Sequence, residues 1–246
     1  MDVYVIPDTQ VRPRSDYSFL KQVALHIAEV KPDYIIMLGD WHDMASCSYY
    51  DKGKKSHEVY NFIDDIEVGN RATDLLFDTL DKAWPGNRKK CKRIKLRGNH
   101  EARIDRAFDY GDSTLRELII RFPIDDSRWD KTVPFLKEFI LNDCYFSHYF
   151  PNDNSGKPVT SARMLLHKKH RSCVAGHQQG FDYAEQLTGK KRTLHAVIAG
   201  SCYTHEEDYK GPNNHHFRGT LILRNLNKGM FDIERFSLSR LKRKYK

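Results

Sequence analysis

The sequence predicts an α/β fold whose first half alternates strands with helices and whose second half is rich in strands. Three observations predict it. The segments Val3 to Pro7, Tyr34 to Leu38 and Arg93 to Arg97 have the length of short strands and each leads directly into polar turn residues. The segments between them keep helical spacing of apolar residues. From Phe135 onward the pattern shortens towards alternating strands separated by turn formers.

The elements follow in order. After the first strand, Ser15 or Asp16 is placed to cap a helix reaching Val30, with Phe19, Leu20, Val23, Ile27 and Val30 on its buried face. Strand, helix, strand makes a right-handed crossover. A second helix is expected from about Glu58 to Ala83, through Phe62, Ile66, Leu75, Leu76 and Leu80, and Pro85-Gly86-Asn87 ends it. Beyond the third strand a helical region continues to Phe122. Strands are then expected over Phe135 to Leu141, Cys144 to Ser147, Ser172 to Ala175, Phe181 to Leu187, Thr193 to Ala199, Phe217 to Asn225 and Met230 to Leu238, with one short helix over Ala162 to His167.

At 246 residues, with neither a Pro/Gly/Ser-rich linker nor an internal repeat, one domain over residues 1–238 is expected, followed by a basic tail at 239–246. The N-terminal stretch has no basic n-region or apolar h-region, and no run approaches membrane-spanning length, so we expect a soluble cytoplasmic protein without membrane contact. The five cysteines are scattered with no Cys-x-x-Cys spacing, which argues against a thiolate zinc site and favours reduced thiols, Cys144 and Cys173 within strands. A net charge of +8 raises nucleic acid as a partner without deciding it.

Five predicted strands end in Asp8, Asp40, Asn99-His100, His148 and His177. One such residue is ordinary turn chemistry. Five sharing one sheet edge would bring hard oxygen and imidazole donors into one crevice, where open α/β sheets bind ligands.

In this order, Asp8-Thr9-Gln10, Gly39-Asp40-Trp41-His42-Asp43, Gly98-Asn99-His100-Glu101, Ser147-His148 and Gly176-His177-Gln178-Gln179 resemble the five motifs of the calcineurin-like metallophosphoesterases. The resemblance covers about residues 3 to 179 and implies a four-layer α/β/β/α sandwich of two mixed sheets carrying a two-metal phosphoesterase centre. It assigns Asp40 as the bridging carboxylate, with Asn99, His148 and His177 completing one metal site. Asp8, Asp40, Gln10 and Gln179 would form the other, where the family usually has histidine in place of both glutamines.

An amide oxygen is a harder ligand than imidazole, so this second site should be weaker and tilt towards Mn²⁺ or Mg²⁺, with Fe or Zn²⁺ as alternatives. Three outcomes stay open: an oxygen-rich site, a site completed by substrate phosphate, or a single-metal centre. Gln10 and Gln179 as plain hydrogen-bonding residues is the competing reading. Two cations about 3.5–4 Å apart would neutralise phosphoryl oxygens and make hydroxide available near neutral pH for in-line attack. The resemblance implies that His100 protonates the leaving group, with Asp43 orienting the imidazole.

Arg12, Arg14 and Arg103 lie just past strand ends, where a guanidinium could clamp phosphate or simply be solvated; Arg12 and Arg103 are retained as substrate-binding candidates. His205, Asp208, Tyr209, His215 and His216 are either pocket-lining or surface-loop residues, and His42 is left without a role. The basic clusters at Arg88 to Arg93, Lys168 to Arg171 and Lys190 to Arg192 should sit at the edge remote from the metals. The expected function is therefore metal-dependent hydrolysis of a phosphomonoester or phosphodiester. The alternatives are an Mn-dependent nuclease and a weakly active or inactive binding scaffold, against which the retention of His100 and Asp43 argues.

Overall fold

The computed structural model describes residues 1–48, 61–189, 192–206 and 216–246. Four strands, β1 (Val3–Ile6), β2 (Tyr34–Met37), β3 (Lys92–Leu96) and β4 (Lys131–Val133), run parallel in the first sheet. β5 (Phe139–Leu141), β6 (Cys144–Ser147), β7 (Ser172–Ala175), β8 (Phe181–Thr188) and β9 (Arg192–Ala199) form the second, in the order β5-β6-β7-β9-β8. The hairpin β10 (Gly219–Asn227) and β11 (Met230–Ser237) returns to the first sheet and pairs antiparallel with β1, completing the order β11-β10-β1-β2-β3-β4. Both sheets are mixed, because β6, β7 and β9 are parallel while β5 and β8 pair antiparallel at the edges.

The period of two in β1 divides its side chains between two cores. Val3 and Val5 pack with Ile36, Leu38, Ile94 and Leu96 against Phe146, Val174 and Val197 of the second sheet. Tyr4 and Ile6 face the other way, onto helices α1 (Phe19–Val30) and α2 (Phe62–Ala83), through Leu20, Val23, Ile27, Leu76 and Phe77. On the far side of the second sheet, Leu165 and Leu166 of α5 (Ala162–Lys169) cover Cys173, Ala196 and Ile198. Two mixed sheets with helices packed on them make an α/β fold compatible with the four-layer sandwich that the family resemblance implied.

Most expected elements occur within a few residues of their anticipated bounds, and the departures have local causes. The α2 N-terminus is set by Asn61, whose side chain accepts Ile63 N–H at 2.8 Å; Glu58, the expected start, lies outside the described residues. The helical region after β3 divides into α3 (Ala102–Tyr110) and α4 (Ser113–Arg121), because Gly111 ends one and the Asp112 carboxylate caps the next. The strand β4 was not foreseen, since Lys131-Thr132-Val133 carries no apolar run and is recruited by pairing with β3. The strand expected from Phe135 begins only at Phe139.

The C-terminal residues expected as a tail are instead a docked helix, α6 (Leu238–Lys244). Leu241 is fully buried against the α1 side of the first core, and Lys244 and Tyr245 both bond to Glu29 of α1. Ser237 caps the helix by accepting Arg240 N–H. The apolar positions Leu238 and Leu241, three apart, supply the anchoring stripe that the surrounding charge obscured.

Candidate metal centre

Parallel pairing places the carboxyl ends of β1, β2 and β3 at one edge of the first sheet, so the turns holding Asp8, Asp40 and Asn99 are neighbours. The ends of β6 and β7 bring His148 and His177 to the facing edge of the second. The turns are bonded to one another. Thr9 and Gln10 donate their N–H groups to Asp40 O at 3.1 and 2.8 Å, and Gly176 N–H donates to His148 O at 2.9 Å. Gln10, Asp40 and His177 all adopt left-handed backbone, at φ 44°, 54° and 66°. Three non-glycine residues in that region, all at one site, mark stored strain held in place by the surrounding turns.

Close approach is enforced at Gly98. A Cβ there would lie 2.0 Å from Asp40 Oδ1 and 2.4 Å from Asp40 N, so any side chain would displace the carboxylate. His100 N–H donates to the same Oδ1 at 2.9 Å, and His177 N–H donates to Asp8 Oδ1 at 3.0 Å. Each carboxylate is therefore oriented by the backbone of the opposite motif.

Four acceptors converge beyond these bonds. His148 Nδ1 donates to Leu38 O at 2.9 Å, which directs Nε2 inward. Asn99 Oδ1 lies 2.8 Å from His148 Nε2 and 2.8 Å from His177 Nδ1, and Asp40 Oδ2 lies 3.2 Å from His148 Nε2. One ligand atom from each of Asp40, His148 and His177 falls within 4.8 Å of the others. Lone pairs brought this close repel unless a proton or a cation lies among them. Asp40 and Asp8 accordingly raise the His148 pKa, against the effect of burial, to about 9. The donor set fits a divalent cation at this position.

The second half of the centre is oxygen-rich. Asp8 and Gln10 are 0% and 3% exposed, yet among the described residues Asp8 Oδ2 and Gln10 Oε1 find no hydrogen-bond donor. Burial, and then the charge of Asp40, raises the Asp8 pKa to about 7. Burial would raise Asp40 as well, but His100 and His148 hold it below the usual carboxylate range. Leaving buried carboxylate and amide oxygens without donors costs about 1–3 kcal/mol each, a cost that a cation removes. Gln179 is 4% exposed. These atoms fit a hard cation, for which amide and carboxylate oxygens are ordinary ligands.

Beside this centre, His100 Nδ1 lies 2.7 Å from Asp43 O and 2.9 Å from Asp43 Oδ1, both acceptors, so Nδ1 carries a proton. Burial opposes a second proton, but Asp40 and Asp43 outweigh it and raise the His100 pKa, with Arg103 acting against them. Arg103 Nη1 donates to Asp43 O at 2.9 Å and Nη2 reaches His100 Nε2 at 3.1 Å. Arg12 Nη1 is 3.9 Å from Asp43 Oδ2, and Nη2 donates to Glu206 O at 3.2 Å. All eleven residues singled out from the sequence are described, and these contacts join ten of them at one edge of the sheets, while Gln179 is buried.

Three residues at the site have no role assigned from the sequence. The Glu101 carboxylate, 1% exposed, accepts the N–H groups of Asp40, Trp41, His42 and Gly98 at 2.7–3.0 Å. Burial and the repulsion of Asp40 would raise its pKa, but the nearby His42 and Lys95 bring it down to about 2. The position of an acid in the first turn of a helix was the legible signal; the four donors come from two separate turns. His42 is fully buried, 3.9 Å from Glu101 Oε1, and lies so close to α2 that a Cβ at Gly69 would sit 2.0 Å from its ring. Tyr149 follows His148 and sets its ring 4.9 Å from that of His177.

Other expectations distribute differently. His205 stacks on Tyr203 at 4.3 Å and His216 Nε2 is 3.0 Å from Ser201 Oγ, while Asp208, Tyr209 and His215 lie outside the described residues. The basic cluster around Arg88 sits before β3, at the end opposite Asn99, with Arg88 near Asp130 at 3.6 Å. Lys169 pairs with Asp153 at 2.8 Å and Arg171 with Glu138; Lys190 and Lys191 lie outside the described residues. Among the described residues no helix is long and apolar enough to cross a membrane.

Residues 1–200 match the family of calcineurin-like phosphoesterases, and the chain belongs to that family. It is thus a metal-dependent phosphoesterase of a class that binds two divalent metals, a hydrolase acting on phosphoester bonds. No curated protein matches the sequence. One solved crystal structure aligns with a TM-score of 0.40 and 13% identity, over 96% of this chain and 99% of that one, a likeness too distant to carry an argument.

Proposed function

We propose that this protein hydrolyses a phosphoester by in-line displacement at a centre built from Asp8, Gln10, Asp40, Asn99, His148, His177 and Gln179, with His100 and Asp43 handling the leaving group. The observation that carries this reading is the convergence of Asn99 Oδ1, His148 Nε2, His177 Nδ1 and Asp40 Oδ2 beside the buried His100–Asp43 pair. When bound, the divalent pair supplies Lewis-acid neutralisation of phosphoryl charge and an activated water.

The protein's own groups do the rest. Asp40 faces both halves of the centre, oriented by His100 N–H. Asn99 Oδ1 lies 2.8 Å from a nitrogen of each ring, so Asn99 and the two histidines would offer their lone pairs to one cation. Asp43 fixes the His100 ring through Nδ1, so Nε2 is the atom that meets the substrate. Gln10 and Gln179 replace nitrogen donors by oxygen and favour Mn²⁺ or Mg²⁺ over Zn²⁺ in the Asp8 half.

The test is hydrolysis of 4-nitrophenyl phosphate, bis(4-nitrophenyl) phosphate, single-stranded DNA and duplex DNA with Mn²⁺, Mg²⁺ and Zn²⁺ in parallel. Turnover of a nitrophenyl ester, strongest with Mn²⁺, is expected. Cleavage of DNA alone would make the protein a nuclease. Metal binding without turnover of any substrate would make it a scaffold and end the catalytic reading.

A further inference from the structure

The Arg103 guanidinium is unusual in what it bonds to. Its Nη1 is fixed by Asp43 O at 2.9 Å, with Met44 O at 3.4 Å, while Nη2 is given to His100 Nε2 at 3.1 Å. Arginine has only donors, so this last contact uses the nitrogen lone pair that the proposed leaving-group acid must present in protonated form. Arg103 thereby closes the seat in front of His100 Nε2, an atom only 3.7 Å from Asp40 Oδ2. The side chain is 17% exposed, and among the described residues Nε–H has no acceptor.

Neighbouring guanidiniums are differently committed. Arg97, beside Gly98, turns to Asp126 at 3.2 Å, and Arg12 reaches the Glu206 carbonyl. Arg103 is three residues beyond His100, at the start of α3, and its backbone N–H donates to His100 O at 3.1 Å, which ties it to the turn that carries His100. A bond from Nη2 to a neutral imidazole nitrogen is weaker than a charge-assisted bond to a phosphoryl oxygen, and the planar fork suits two such oxygens.

We propose that Arg103 is a specificity-determining residue: substrate phosphate takes its Nη2 from His100 Nε2, so that binding the phosphoryl group and freeing His100 Nε2 are one event. The inference rests on the phosphoesterase reading above and adds a substrate class. A phosphomonoester offers three unesterified oxygens and two charges, and a diester offers two oxygens and one charge. The metal centre draws on the same oxygens, so the monoester is the substrate with one to spare for Arg103. The terminal phosphate of a monoester is the favoured ligand.

The purely architectural alternative is that Arg103 only staples the Asp43–Met44 turn. The two are separated by measuring inorganic phosphate binding to the Mg²⁺-loaded protein by calorimetry, together with kcat/KM on 4-nitrophenyl phosphate and bis(4-nitrophenyl) phosphate. Arg103→Ala is expected to weaken phosphate binding and monoester kcat/KM by about 10- to 100-fold, the scale of a charged hydrogen-bond donor. The loss on the diester should be at least about tenfold smaller. Arg103→Lys, which keeps charge without the fork and preserves the stem, should fall between them and carries the test should the alanine variant not fold. Equal losses on both esters, or unchanged phosphate affinity, would overturn the proposal. Absence of wild-type turnover on either ester, with phosphate still bound through Arg103, would instead remove the catalytic reading and leave the phosphate contact standing.

Discussion

The Glu101 carboxylate accepts the Asp40 backbone N–H at 3.0 Å, tying the turn that carries Asp40 to the helix that follows Asn99. Its other bonds, to Trp41, His42 and Gly98, make one buried anion the junction of two strand-end turns.

Replacing Glu101 by Gln should therefore be severe although it is nearly isosteric. The amide would turn donors towards backbone donors, leaving buried N–H groups unsatisfied at about 1–3 kcal/mol each. The expected outcome is a Tm lowered by more than about 8 °C, with weaker Mn²⁺ binding in calorimetry. A variant with wild-type Tm and metal affinity would contradict the junction role.

His100 and Asp43 should separate from the metal ligands in their behaviour. His100→Asn is expected to lower kcat by about 10²- to 10⁴-fold, the usual weight of general acid catalysis, while metal content by elemental analysis stays near wild type. Asp40→Asn should cost metal content itself. Parallel loss of metal in both variants would make His100 structural.

The two glutamines make a testable statement about metal choice. Gln10→His combined with Gln179→His restores imidazole donors and should shift competition between Zn²⁺ and Mn²⁺ towards Zn²⁺, read by isothermal titration with each metal. No change in relative affinity would show that neither amide is a ligand.

A pH dependence comes from the opposite end of the core. His26 is 2% exposed and bonded to Tyr4 Oη at 2.9 Å, which in turn bonds Thr220, and the ring packs on Phe236 and Tyr245. Burial, with Lys244 nearby, lowers its pKa to about 4. A histidine depressed in the folded state binds its proton more readily unfolded. Stability is therefore undiminished above pH 6.5 and declines as pH falls from there to about 4, by about 3 kcal/mol in all. Urea denaturation at pH 7 and pH 4.5 should show this loss in wild type and a smaller one in His26→Gln.

The apolar runs of β1 and β2 made the centre of the first sheet readable, because a parallel strand buried on both faces leaves no polar alternation to confuse it, whereas β3 buries Arg93 and Lys95 among its apolar residues. Strand β4 escaped because three residues, Lys131-Thr132-Val133, are defined only by the neighbour they pair with. The helix α6 escaped because two leucines among basic residues give no stripe until α1 is there to receive them.

For the site, the sequence alone determined the ligand types and their order, since each sits at a fixed offset from a local strand. Only the tertiary structure decided that Glu101 joins two turns, that Asp8 Oδ2 and Gln10 Oε1 are buried without donors among the described residues, and that Arg103 faces His100 Nε2. Local pattern fixes where a strand ends and which residue follows it. Contacts between residues of different turns depend on how two sheets pack face to face, and the information for that is spread over the whole core.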